Sequence, residues 1–198
     1  NPDNQVIGQR SFGSDAQTVA GMVTSELQGL SAAGVYGMVK HFPGHGGTSG
    51  DSHDGAVSTD KTLEELMAEE LVPFQSAIDG GVNFVMVGHI SAPNVTGDNA
   101  PATLSKVLIT DVLRGQMGYN GIVITDAMNM EAVAGFYNSD KAAVLAVTAG
   151  ADMILMPADY NTAYTGILNA VNDGTITEER INESVTRIVK AKLAMGQP

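Results

Sequence analysis

Cysteine is absent from all 198 residues, which excludes disulfides and thiolate chemistry and leaves the redox compartment open. Basic residues are scarce: ten Lys and Arg stand against 22 Asp and Glu, a net charge of −12. Nucleic acid and anionic membrane surfaces are therefore poor partners, because binding phosphate needs clustered cations. An anionic ligand needs a local basic pocket, for which Arg10, Lys40 and the histidines are the candidates. No apolar run reaches the ~18 residues that span a bilayer. No secretory leader stands at the start, yet Asn1-Pro2-Asp3-Asn4 is a polar loop unlike a native start. A leader upstream thus stays open, and so does the compartment. With 43% hydrophobic and only 16% charged residues the chain is globular, long enough for one good core or for one piece of something larger.

Histidine, by contrast, is concentrated. Three of the four histidines fall in Lys40-His41-Phe42-Pro43-Gly44-His45-Gly46-Gly47-Thr48-Ser49-Gly50-Asp51-Ser52-His53. An apolar run at 35–39 precedes this stretch and reads as a buried strand. Glycine, proline and serine then break it. A lysine and three imidazoles thus sit at and just past a strand end, on a loop free to bend over a pocket. Asp51 and His53 are two apart. In a turn, that spacing lets the carboxylate hold one ring nitrogen and aim the other outward, as a histidine acid/base needs. The plainer reading, a solvated glycine loop, fits the clustering less well. A metal ranks lower still: His41 and His45 flank a Pro-Gly pair and share no helix face, and no cysteine is at hand. No metal or other cofactor is expected.

Along the chain, a helix is expected over 16–33, capped by Ser14 or Asp15 and stopped at Gly34, with Val19, Met22, Val23 and Leu27 as its apolar stripe. Thr62 and Glu65 form a capping box for a second helix, which ends near Gly80 and carries a possible kink at Pro73. Strand 83–87 leads to His89, which reads equally well as a core histidine or as a ligand contact. A helix over 105–118 follows, then strand 121–125 delivers Asp126. Ser139 caps a helix over 140–149, 153–156 is a fourth strand, and helices from about 159 and 177 close the chain. All-apolar strands alternating with helices predict an α/β fold with a covered parallel sheet. Polar side chains at successive strand ends point to a (β/α)8 TIM-barrel type, here about four βα units of a fold that needs eight strands and about 250 residues. A doubly wound sheet is the alternative, but the glycines after the first strand lack its phosphate-binding spacing.

Lys40-His41-Phe42-Pro43-Gly44-His45-Gly46, Asp51-Ser52-His53 and Ile124-Thr125-Asp126-Ala127-Met128 together resemble family 3 glycoside hydrolases, most closely their β-N-acetylglucosaminidase branch. Val6-Ile7-Gly8-Gln9-Arg10-Ser11-Phe12-Gly13 resembles the loop after that family's fourth barrel strand. The likeness runs from residue 1 to about 158. It implies a retaining mechanism on terminal β-linked N-acetylglucosamine of peptidoglycan or chitin type, with Asp126 as nucleophile. It makes His53 the acid/base, with Asp51 as its orienting partner, and gives Arg10, Lys40 and His41 the sugar hydroxyls. Members of the branch accept phosphate as well as water, so phosphorolysis stays open. Other family 3 β-glycosidases lack the Asp-x-His loop; an inactive sugar-binding fragment is a third reading. The family's first four strands, and an upstream aspartate that anchors the sugar, have no counterpart here. Residues 1–198 are thus expected to be the C-terminal half of a barrel catalytic domain, with self-association or a companion chain supplying the rest.

Overall fold

Short runs of β-branched and other apolar residues form the strands: β1 (Met38–Phe42), β2 (Val57–Ser58), β3 (Phe84–Val87), β4 (Ile90–Ser91) and β5 (Ile122–Thr125). They belong to a computed structural model that describes residues 4, 6–48 and 55–195. The main sheet is parallel, in the order β1-β3-β5, with Val39 opposite Val85 and Met86 opposite Ile124. β2 and β4 make a separate two-residue parallel ladder that alternation in the sequence is too short to signal.

The run at 153–156, expected as a fourth strand, makes one parallel bridge, Ile124 to Met153. Its pairing with β5 is only partly regular: Asp152 N–H and Met153 N–H share the carbonyl of Val123. Leu155 N–H then turns to the Thr125 hydroxyl at 3.0 Å in place of a backbone carbonyl. The segment nevertheless lies beside β5. Four successive βα units of a TIM-barrel-type α/β fold result, as the strand and helix order predicts.

The helices are α1 (Ala16–Ala32), α2 (Leu63–Ala68), α3 (Leu71–Asp79), α4 (Pro93–Thr96), α5 (Glu131–Ala134), α6 (Ser139–Ala149), α7 (Tyr160–Asn172) and α8 (Glu178–Met195). Asp15 caps α1 by accepting from Thr18 N–H, and Asp159 does the same for α7 through Thr162. The Thr62–Glu65 capping box is present in full. The break in the second helical run falls at Glu69 (φ −128°, ψ −82°), not at Pro73. Pro73 sits in the first turn of α3, where its missing N–H breaks no helical bond. Ser139 opens α6 instead of capping it. Asn138 holds the cap position, and the Ser139 hydroxyl accepts from Asp159 N–H. The stretch expected as an α-helix over 105–118 is wound wider, as a π-helix over Val107–Gln116 that buries Leu108, Ile109, Val112 and Leu113.

The core joins Phe42, Val85, Val87 and Val123 of the strands to Leu66, Leu71, Phe74 and the π-helix. Each such side chain contributes about 1.5–3 kcal/mol by leaving water. Phe42 and Phe74 meet edge to face at 5.5 Å. Beneath the sheet, Asp152 has a fully buried side chain. It accepts from Arg114 at 2.6 Å, Ser184 at 2.6 Å, Val123 N–H at 2.9 Å and Arg187 at 3.0 Å, with Arg180 at 3.7 Å. Burial pushes its carboxyl upward, but Arg114, Ser184 and Val123 N–H outweigh that and hold it below the usual carboxylate value. One carboxylate thus ties α8 and the π-helix to β5.

Candidate active site

Parallel strands bring their C-terminal ends to one side of the sheet, and the polar residues there converge. Asp126 directly follows β5. Its own N–H donates to the carbonyl of Val87, the last residue of β3, at 2.8 Å. Two residues on, Met128 N–H donates to the carbonyl of Leu155 at 2.9 Å. The backbone around Asp126 is therefore gripped from both neighbouring strand positions. Its Oδ1 accepts from Ala127 N–H at 2.8 Å. Oδ2 faces the Nε2 of His41, 3.6 Å away.

That distance exceeds a hydrogen bond, and the charge state explains why the contact is no ion pair. His41 lies on β1 and is only 9% exposed. Burial pushes its pKa down to about 4, and Lys40, His45 and Arg10 push the same way against the opposing pull of Asp126. The imidazole is neutral at pH 7. Its Nδ1 is buried with no hydrogen-bond partner among the described residues. Gly88 makes room for the ring: a Cβ there would lie 3.0 Å from the His41 Cβ.

The loop after β1 is built on a tight turn, His45–Gly47, and three contacts fix its root. The Thr48 hydroxyl lies 3.0 Å from His45 Nδ1. The Asn4 carboxamide donates to the carbonyls of His45 at 2.7 Å and Thr48 at 3.0 Å, while its oxygen accepts from Ile7 N–H. Glu70 packs beneath. At Gly44 (φ +130°) a Cβ would lie 2.6 Å from the Glu70 Cβ and Cγ, so both the backbone angle and the space demand glycine. Lys61 in turn donates to Glu70 at 2.6 Å. Asn4 is a residue that sequence reasoning passes over, since it reads only as part of a polar opening.

Arg10 ends a short turn, Gly8–Arg10, is exposed and donates to the carbonyl of Val6. Lys40 is exposed on β1. Both push the His41 pKa down by their charge, and the direct approach between predicted residues is that of His41 to Asp126 at 3.6 Å. Asp51 and His53 lie outside the described residues. His89, open between two roles in the sequence, is buried, with its ring nitrogens at 2.9 Å from the Thr103 hydroxyl and from the Ala127 carbonyl. Among the described residues no cluster of three or more His, Asp or Glu could hold a metal, and no helix is long and apolar enough to cross a membrane.

Chemically, the arrangement offers one carboxylate oxygen held by a backbone donor and one turned to an uncharged ring, with two cations near by. Comparison with known proteins gives this a family. Residues 1–191 match the model of the glycosyl hydrolase family 3 N-terminal domain. A beta-hexosaminidase of Chromobacterium violaceum is 40% identical over 151 residues, covering 76% of this chain and 42% of that protein. A solved family 3 beta-N-acetylglucosaminidase from Paenibacillus sp. superposes with a TM-score of 0.96 at 44% identity, over 98% of this chain and 38% of that one. A solved beta-glucoside phosphorylase, BglX, superposes with a TM-score of 0.93 at 29% identity, over 98% and 37%. The chain thus spans less than half the length of each of these three proteins. With residues 1–191 matching that domain and a 40% identical relative covering 76% of the chain, the chain belongs to glycosyl hydrolase family 3.

Proposed function

We propose that the chain carries the nucleophile half of a retaining β-N-acetylglucosaminidase that acts on terminal β-linked N-acetylglucosamine of peptidoglycan or chitin-type glycans. The observation that carries the proposal is the Asp126 carboxylate: rigidly placed after β5, one oxygen held by Ala127 N–H, the other 3.6 Å from neutral His41. Oδ2 attacks the anomeric carbon and the glycosidic C–O bond breaks, giving a glycosyl ester on Asp126. His53, oriented by Asp51, protonates the departing oxygen and then takes a proton from the water that hydrolyses the ester. Arg10, Lys40 and His41 donate hydrogen bonds to sugar hydroxyls. Residues 1–198 serve as the C-terminal half of the barrel domain, and a second copy or a companion chain supplies the missing half against the edge of β1 that pairs with no strand among the described residues. The relatives named beta-hexosaminidase and beta-N-acetylglucosaminidase support the sugar assignment.

The test is release of p-nitrophenol from the aryl β-N-acetylglucosaminide by the full polypeptide. Asp126→Ala should lower kcat on the order of 10⁴-fold or more, while His53→Ala retains slow turnover of activated substrates. Full activity in Asp126→Ala removes the nucleophile assignment. The likeness to a phosphorylase supports a second reading, with phosphate as acceptor in place of water. Repeating the assay in phosphate separates the two: N-acetylglucosamine 1-phosphate as product supports phosphorolysis, free N-acetylglucosamine supports hydrolysis. Faster turnover of the aryl glucoside than of the N-acetylglucosaminide would shift the reading to another family 3 β-glycosidase.

A further inference from the structure

We infer that His89 is a positioning residue for Asp126, an inference that rests on reading Asp126 as the nucleophile. His89 follows β3, is 1% exposed, and spans from the Thr103 hydroxyl to the Ala127 carbonyl at 2.9 Å on each side. A carbonyl only accepts, so Nε2 carries the proton and donates to Ala127. In the neutral ring Nδ1 is then an acceptor, and Thr103, itself fully buried, donates to it. In a neutral ring these two contacts fix the tautomer.

The bond reaches the residue that matters. Ala127 offers its N–H to Asp126 Oδ1 at 2.8 Å and its C=O to His89 at 2.9 Å. Anchoring the C=O restricts rotation of the whole Ala127 residue, and so keeps its N–H aimed at Oδ1. With Oδ1 occupied, Oδ2 is the oxygen left to attack. Thr103–His89–Ala127 is thus a relay of position, not of protons: no proton changes hands along it during the reaction. His89 lies one peptide behind the nucleophile and acts through it.

A role of this kind moves kcat and leaves KM, because it orients the carboxylate without touching the sugar. Misplacement of a reacting group by about 1 Å costs roughly 10²-fold. In the full polypeptide, His89→Leu should lower kcat by roughly that factor with KM close to wild type. It should slow formation of the covalent adduct from a fluorinated N-acetylglucosaminyl fluoride equally, as followed by intact mass spectrometry. His89→Gln, whose carboxamide both donates and accepts, should recover a large part of the loss. Thr103→Val, which leaves the ring but removes its fixing donor, should show a smaller fall of the same kind. A His89→Leu protein that folds and forms adduct at the wild-type rate overturns the inference, as does a change confined to KM. If His89→Leu fails to fold, Thr103→Val decides: a smaller kcat at unchanged KM supports the relay, and wild-type kcat and adduct rate refute it. Asp126→Asn separates this from the underlying reading. An adduct on another residue defeats the nucleophile assignment, whereas an Asp126 adduct formed at full speed in His89→Leu defeats only the positioning role.

Discussion

Replacing Asp152 by alanine tests the packing argument most severely. The carboxylate is fully buried and is the shared acceptor of Arg114, Arg187, Ser184 and Val123 N–H, with Arg180 close by. Its removal takes the buried counter-charge from guanidinium groups that are 14%, 18% and 23% exposed, Arg180 alone of them keeping a second carboxylate, the exposed Glu183 at 4.0 Å, among the described residues. Breaking a buried pair by deleting one partner costs about 3–5 kcal/mol. For a domain of this size, 1 kcal/mol corresponds to about 2–4 °C in Tm. The expected fall is therefore about 6–20 °C, read by circular dichroism during thermal unfolding at pH 7. Asp152→Asn keeps one carbonyl acceptor and should fall less. Because the cluster is screened by protein instead of solvent, added salt should change the difference little. A Tm within about 2 °C of wild type for Asp152→Ala would refute the claim that this carboxylate fastens α8 and the π-helix to the sheet.

Two further outcomes are expected. In the unfolded chain His41 titrates near 6.5, but in the fold only near 4. Between those values the unfolded state binds the proton and the folded state does not, so stability is full above about 6.5 and is lost as the pH falls toward 4. The loss amounts to roughly 3 kcal/mol. Denaturant unfolding at pH 7 and pH 4.5 measures it, and an identical pH dependence in His41→Gln would show that another group is responsible. Within its sheet β1 pairs only with β3 among the described residues. An open parallel edge attracts a partner strand, so light scattering on the 198-residue chain alone should show association. A monomer that binds no added second polypeptide counts against a shared barrel.

The order of elements was legible because it rests on strong local signals. Apolar runs marked β1, β3 and β5, and the Thr62–Glu65 box marked the start of α2 to the residue. Asp126 was legible for the same reason, as the first polar residue after an apolar strand. What failed was decided at longer range. The run at 153–156 has strand composition, yet Thr125 takes over one of its ladder bonds through a side chain. Nothing in 105–118 distinguishes π from α winding, since the spacing of Leu108, Ile109, Val112 and Leu113 spans little more than one turn and suits either period. His89 stayed ambiguous because its partners, Thr103 and Ala127, are 14 and 38 residues away. Asn4 was invisible because its acceptors are carbonyls more than 40 residues on, and every residue type has a carbonyl.

The uncharged state of His41 carries a consequence for the energetics of bond breaking. A cation 3.6 Å from Asp126 would already cancel much of the aspartate's field in the resting protein. A neutral imidazole cancels almost none of it. On the proposed chemistry, the share of the negative potential that a charged His41 would cancel is then held ready for the positive charge that grows on the sugar ring as the glycosidic bond lengthens. It favours the state at the top of the barrier over the ground state.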